Sequence, residues 1–236
     1  MYNKLWGLTS EKTMDISALD KAFSENINSV KYTDSKKSWK VSDRITIDWK
    51  NILPDPPANN SKETQKELDY LQAITKNLTF RDKNLIELVD KEPLDLYAPI
   101  LNRYDLKMPK SDFDKVWSLT YPIIMNLKYK YNRARPEQIA EKLGFKVNVV
   151  KTKTHQTPAY PSGHTAYAAM GAYLLADMYP ELSSDFFRKI GEAGLARCLQ
   201  GVHYPSDNEA SMVISGAIWQ DIRYKLFPDL EPYRKV

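Results

Sequence analysis

Eight residues in three short segments are of the types that bind and attack an oxyanion. KYKYNRARP at 128–136 carries Lys128 and Arg135, PSGH at 161–164 carries Ser162, Gly163 and His164, and ARCLQGVHYPSD at 196–207 carries Arg197, His203 and Asp207. Two of the three histidines in the chain lie in these segments. Lysine and arginine supply positive charge. A serine–glycine pair at a helix start supplies backbone N–H groups and the partial positive charge of that terminus. Histidines supply a nucleophile and a proton carrier. The combination suits a phosphate-like group bound and attacked without a metal ion.

Local geometry decides whether these groups can meet. Lys128 and Arg135 are seven residues apart, so on a continuous helix they would point to one side about 10 Å apart along the axis. Pro136 ends that helix or starts a new one, which leaves Arg135 at a terminus. Ser162 is a natural N-cap, with Gly163 the first helical residue and His164 one position inside. Gly163 has no β-carbon, so its N–H can approach a ligand closely. Arg197 and His203 lie six residues apart, on different faces of a straight helix, but Gly201 breaks the helix between them. Ser206 and Glu209 form a capping box for the last helix. Asp207, four residues after His203, can accept a hydrogen bond from one ring nitrogen and aim the other outward. Taken singly, each segment has an ordinary reading: a solvated cationic face, a structural cap, a loop histidine beside an incidental aspartate.

The elements that must position these groups read as helices. Leu68, Leu71 and Ile74 form one stripe of a helix beginning near Lys62, and further helices are expected at 81–91, 94–103, 111–132, 163–178, 183–199 and 206–226. Phe145 to Tyr160 resists a helical reading and is expected to be an extended crossing loop. ILPDPPANNS is a proline-rich joint. Before it, Ile16, Leu19, Phe23, Ile27 and Val30 predict one amphipathic helix, and ITIDW at 45–49 a short extended piece. The expected fold is all-α, an antiparallel bundle over 53–236 with an amino-terminal extension, 1–52, packed on it.

Composition narrows the function classes. With 34 Lys and Arg against 30 Asp and Glu, the charges are scattered rather than gathered into the basic stripe of a nucleic-acid binder. The one cysteine, Cys198, excludes an intramolecular disulfide framework, and its helical context predicts a buried, inert thiol. No Cys/His spacing suits a metal. The longest apolar runs fall short of the roughly 20 residues needed to cross a bilayer. A cytoplasmic protein is expected if Met1 is the true start, a periplasmic one if the start is a processed one. His155, in the crossing loop, could line the mouth of a pocket, although a solvated loop position is the plainer reading. Tyr129, Tyr131 and Tyr160 neighbour the segments and could shape a leaving-group pocket or pack in the core.

Taken together, Lys128-x6-Arg135-Pro136, Pro161-Ser162-Gly163-His164 and Arg197-x5-His203-x3-Asp207 resemble the three-part signature of the phosphatidic acid phosphatase type 2 superfamily. That group includes bacterial class A non-specific acid phosphatases, membrane lipid phosphatases and vanadium-dependent haloperoxidases. The stretch 53–68 resembles the proline-rich lead-in and first core helix of its soluble class A-like members, so the likeness runs from Leu53 to about Phe227. One departure is Ala196, where the family usually has serine. The resemblance implies an acid phosphatase/vanadium haloperoxidase type of bundle and a small phosphoester as substrate. It implies His203 as nucleophile, Asp207 as its orienting partner and His164 as general acid and base. Lys128, Arg135, Arg197, Ser162 and the Gly163 N–H would hold the equatorial oxygens. No cofactor is expected, and vanadate should bind as a phosphate mimic. A homo-oligomer is implied by analogy. Two alternatives stay open: a vanadate-dependent haloperoxidase, in which vanadate is the cofactor, and a non-catalytic oxyanion-binding protein, for which Ala196 is the only hint.

Overall fold

A computed structural model describes residues 16–30, 32, 38–152 and 154–230. They form helices α1 (Ile16–Asn28), α2 (Lys62–Thr75), α3 (Phe80–Lys91), α4 (Ala98–Arg103), α5 (Lys110–Tyr131), α6 (Pro136–Ile139), α7 (Gly163–Met178), α8 (Ser183–Leu199) and α9 (Pro205–Leu226). Short 3-10 turns join several of them, and no strand occurs among the described residues. The predicted all-α class is therefore observed.

The order of burial follows from side-chain size. In α7, Ala166, Ala168, Ala169, Gly171, Ala172 and Ala176 are all buried, so the helix is small and apolar on every side, as an interior helix should be. It packs against α5, α8 and α9. Ile123, Ile124 and Leu127 of α5, Phe186 and Ile190 of α8, and Ile214, Ile218 and Trp219 of α9 complete the main core. Helix starts carry the expected caps. Ser61 accepts from the Thr64 N–H at 3.1 Å, and Thr79 and Asp82 form a reciprocal box at the start of α3.

ITIDW does not form a strand. Ile45 and Ile47 pack against the main core, but Asp221 of α9 takes the nearby backbone donors, with Thr46 N–H at 2.7 Å. A 3-10 turn follows at Trp49–Asn51. Two asparagines of the α5 region grip the same incoming segment. Asn126 accepts from the Trp39 N–H at 3.0 Å and donates to the Trp39 carbonyl at 2.8 Å. Asn132 does the same for Tyr32, at 2.9 and 3.0 Å. Among the described residues of 145–160 there is no helix, as expected.

Candidate active site

The cationic segment departs from the single helix its spacing suggested. Asn132 adopts a left-handed conformation (φ 49°) and ends α5, and Arg135 becomes the N-cap of α6, with Pro136 at its first position. Lys128 and Arg135 still converge, because the crossing loop runs between them. Lys128 Nζ donates to the Pro158 carbonyl at 2.7 Å. Arg135 Nε donates to the Thr157 carbonyl at 2.9 Å, and its Nη1 to the Val202 carbonyl at 2.8 Å. The Tyr32 hydroxyl also bonds the Arg135 side chain.

Ser162 caps α7. Its Oγ accepts from the Thr165 N–H and lies 3.0 Å from Thr165 Oγ1. Its own N–H donates to the Asp207 carbonyl at 3.0 Å, which stitches the start of α7 to α9. A β-carbon on Gly163 would meet only Lys128 Cε, at 3.7 Å. Packing therefore does not require glycine there.

Gly201 breaks the chain between Arg197 and His203 as expected. Its φ is +76°, and a β-carbon would collide with the Asn148 carbonyl oxygen at 2.7 Å. The capping box expected from Ser206 and Glu209 does not form. Pro205 begins α9, so the third position is Asp207, whose Oδ2 accepts from the Tyr204 N–H at 3.0 Å. The same oxygen lies 3.0 Å from His203 Nδ1, and Arg133 Nη1 donates to Asp207 Oδ1 at 2.7 Å. These groups all donate to Asp207, which therefore serves as the carboxylate.

The tautomer of His203 follows from its two neighbours. Arg135 Nη1 lies 3.0 Å from His203 Nε2. A guanidinium only donates, so Nε2 accepts and the ring proton sits on Nδ1, toward Asp207. Burial, followed by Arg135, Lys128 and Arg197, pushes the His203 pKa well below its ordinary value. Burial and then Arg197 push His164 down to about 3, against the opposing influence of Asp90. Burial and Arg135 also lower Lys128. Without an anion, the site holds uncharged imidazoles among cations.

Five of the eight expected residues line one cavity of about 410 Å³: Lys128, Arg135, Gly163, His164 and His203. Asp207, Ser162 and Arg197 stand behind that lining. Ser162 is fully buried, its hydroxyl engaged in the cap. Arg197 Nη1 donates to Asp90 Oδ1 at 2.7 Å, while its buried Nε has no acceptor. Ala196 lies in an apolar cluster with Val89, Leu96, Ala168 and Ala193, so a serine hydroxyl there would start from apolar surroundings rather than from the cavity.

Several residues escaped the sequence reading. Arg133, between Lys128 and Arg135, also donates to Glu67 Oε2 at 2.7 Å. Asp90 gathers Arg197 with Thr152 and Thr154 of the crossing loop. The only sequence signal for Arg133 is that a buried aspartate beside a histidine needs a counter-ion. The tyrosines considered for the pocket do not line it. Tyr129 stacks on Trp39, and Tyr131 packs edge-on to Tyr160. Trp117, Tyr121 and Met125 of α5 and Tyr167 of α7 line it instead. His155 is also absent from the lining. Its Nδ1 lies 3.3 Å from Thr152 Oγ1 and its Nε2 3.6 Å from Glu137. Cys198 is buried, and burial pushes its thiol up to about 12.

Among the described residues, no helix is long and apolar enough to cross a membrane. Residues 117–228 match the family model described as PAP2 superfamily. The non-specific acid phosphatase of Salmonella typhimurium (strain LT2) is 25% identical over 182 residues, covering 70% of this chain and 69% of that protein. That of Providencia stuartii is 32% identical over 96 residues, covering 39% and 37%. A solved structure, the transmembrane PAP2 type phosphatidylglycerolphosphate phosphatase from Bacillus subtilis, is 15% identical, with a TM-score of 0.47 over 74% of this chain and 91% of that one. The segment 117–228 that matches the PAP2 superfamily model, just under half of the chain, contains all eight residues singled out from the sequence.

Proposed function

We propose that this protein is a phosphatase that hydrolyses small phosphomonoesters through a phosphohistidine. The observation that carries the reading is His203, held between Asp207 and Arg135 at 3.0 Å each, with its Nε2 lone pair among cations. In the first step Nε2 forms a bond to phosphorus, and the bond from phosphorus to the ester oxygen breaks. His164 gives its proton to the departing oxygen. In the second step His164 takes a proton from water, the resulting hydroxide bonds to phosphorus, and the P–N bond breaks to release inorganic phosphate and His203.

Lys128, Arg135 and the Gly163 N–H hold the equatorial oxygens, where charge is greatest in the five-coordinate state. Arg197 supports them from behind with an unfilled Nε donor. Ser162 acts through the helix cap that orients Gly163. An empty-site His164 near 3 is neutral at working pH, so the proton it needs arrives with the substrate, whose negative charge raises the imidazole. That favours a mildly acidic to neutral optimum. A cradle of cations and N–H donors repels a divalent ion, so the reaction proceeds without one, and a chelator should leave it unchanged.

Protein quenched in alkaline denaturant after mixing with 32P-labelled p-nitrophenyl phosphate should carry a label on His203 that is stable to base and lost in acid, absent in His203→Ala. Turnover without such label would overturn the intermediate. Vanadate, with similar shape and charge, fits the same cradle. Similarity to acid phosphatases favours hydrolysis, and bromide oxidation with peroxide and vanadate in the absence of any hydrolysis would reverse that choice.

A further inference from the structure

The cavity has two unlike halves. One is the cradle. The other is a wall of Trp117, Tyr121 and Met125 from α5 with Tyr167 from α7. On α5, Trp117, Tyr121 and Met125 recur every four residues and lead toward Lys128 three residues further on. At 1.5 Å per residue, Met125 stands about 4.5 Å from the Lys128 level, Tyr121 about 10 Å and Trp117 about 16 Å. Tyr167 is one turn beyond His164 on α7, on the same helix face.

The side on which His164 stands is the leaving side, because it protonates the departing oxygen while His203 attacks from opposite. Whatever that oxygen carries must therefore lie against Tyr167 and the α5 stripe. The rings there are already set edge-to-face. Trp117 meets Tyr167 at 4.8 Å between centroids and 82°, and Tyr121 at 6.0 Å and 61°. Phe113 buttresses Tyr167 from behind at 4.7 Å. Such a cluster offers ring faces and edges to another ring. The volume, about 410 Å³, is toward the small end for ligand pockets. It suits a phosphoryl group with one or two rings, and the Lys91 and Glu92 side of the lining is a poor path for a long alkyl chain.

We infer that the departing alcohol carries a planar aromatic ring, held by Trp117, Tyr121 and Tyr167. This rests on the phosphatase reading for which side the alcohol occupies, but it can be tested by binding alone. Titration calorimetry with phenylphosphonate and methylphosphonate compares the same charged head with and without a ring. The parent protein should bind phenylphosphonate about tenfold more tightly, the scale of one well-placed aromatic contact with its buried area. In Trp117→Ala that advantage should fall to within about threefold, with methylphosphonate binding unchanged. Tyr121→Ala, at a 41% exposed position, should reduce it in a background where folding is not at stake. Equal affinity of the two phosphonates for the parent, or an advantage that survives both substitutions, would overturn the inference and leave the cradle standing. Binding of neither would sink the cradle and the inference together. Competition by phenyl phosphate and adenosine 5'-monophosphate tells a ring on the ester oxygen from one a sugar's length away: the first should depend chiefly on Tyr167, the second on Trp117.

Discussion

Arg133 offers the sharpest test of how the nucleophile is prepared. Its side chain is almost wholly buried. Nη1 donates to Asp207 Oδ1 and Ser206 Oγ at 2.7 Å each, and Nη2 to Glu67 Oε2 at 2.7 Å. The guanidinium also lies over the Tyr204 ring at 3.9 Å. Arg133→Met keeps most of the stem and removes the charge. Glu67, with 14% side-chain exposure, can rehydrate, but Asp207, with none, cannot. Removing one partner of a buried pair costs about 3–5 kcal/mol. Against the roughly 5–15 kcal/mol of a typical domain, that lowers the urea midpoint while leaving folded protein to assay.

The catalytic effect has a defined sign. Burial raises the Asp207 carboxyl and Arg133 opposes that rise. Without Arg133, Asp207 takes up a proton at higher pH and ceases to accept from His203 Nδ1, so the lone pair on Nε2 is no longer guaranteed. Loss of the orienting carboxylate in a histidine–aspartate pair costs up to about 10⁴-fold. Asp207 is still present here, so about 10- to 100-fold in kcat is expected at pH 6 by that comparison. The acid limb of the pH profile for p-nitrophenyl phosphate should move upward. A purely structural Arg133 would lower the urea midpoint and leave the profile where it was. A variant with kcat within threefold and an unmoved acid limb would refute the reasoning.

Other expectations follow from the same geometry. His164→Ala should lower turnover by about a hundredfold or more, the usual scale for a general acid. The loss should be smaller with a leaving group as acidic as p-nitrophenol than with a simple alcohol, and equal losses for both would count against that role. Gly163→Ala should leave the thermal midpoint nearly unchanged, since the added carbon meets only Lys128 Cε at 3.7 Å. It should weaken inhibition by inorganic phosphate by about tenfold, because the methyl holds the anion away from the N–H that alanine still carries, and unchanged inhibition would show that close approach at Gly163 is not part of the cradle. Stability should fall on acidification. The folded His164 pKa of about 3 lies below its unfolded value near 6.5, so between those limits the unfolded chain binds the extra proton. His203 is shifted the same way. The thermal midpoint should drop from pH 7 to pH 4.5, and less steeply in His164→Asn; identical slopes would contradict the assignment.

Much of the site was legible because its residues sit at helix ends, where caps and breakers follow local rules. Ser162 before Gly163, Gly201 before His203 and Pro136 after Arg135 each mark a terminus through short-range chemistry. Local rules also set the limits of the reading. Lys128 and Arg135 looked like neighbours on one helix because nothing in the sequence requires Asn132 to turn left-handed. The Ser206 and Glu209 pattern lost to Pro205, which set the start of α9 one residue earlier and put Asp207 at the third position. Arg133, Asp90 and Tyr32 act across 74, 107 and 103 residues of chain respectively, judged from their partners Asp207, Arg197 and Arg135. Such pairings leave no periodic trace. The aromatic wall is an i, i+4, i+8 stripe that also reads as ordinary core.

The two asparagines that clasp the amino-terminal segment do the work of a missing neighbour strand. A primary amide presents one acceptor and one donor side by side, the same face that a peptide unit would offer. At Trp39 and Tyr32 both backbone groups are thereby spoken for. Backbone groups left unpaired at these two positions would be open to pairing between molecules. In this protein α5 and its C-cap, through two side chains, deny the backbone of Trp39 and Tyr32 to its copies.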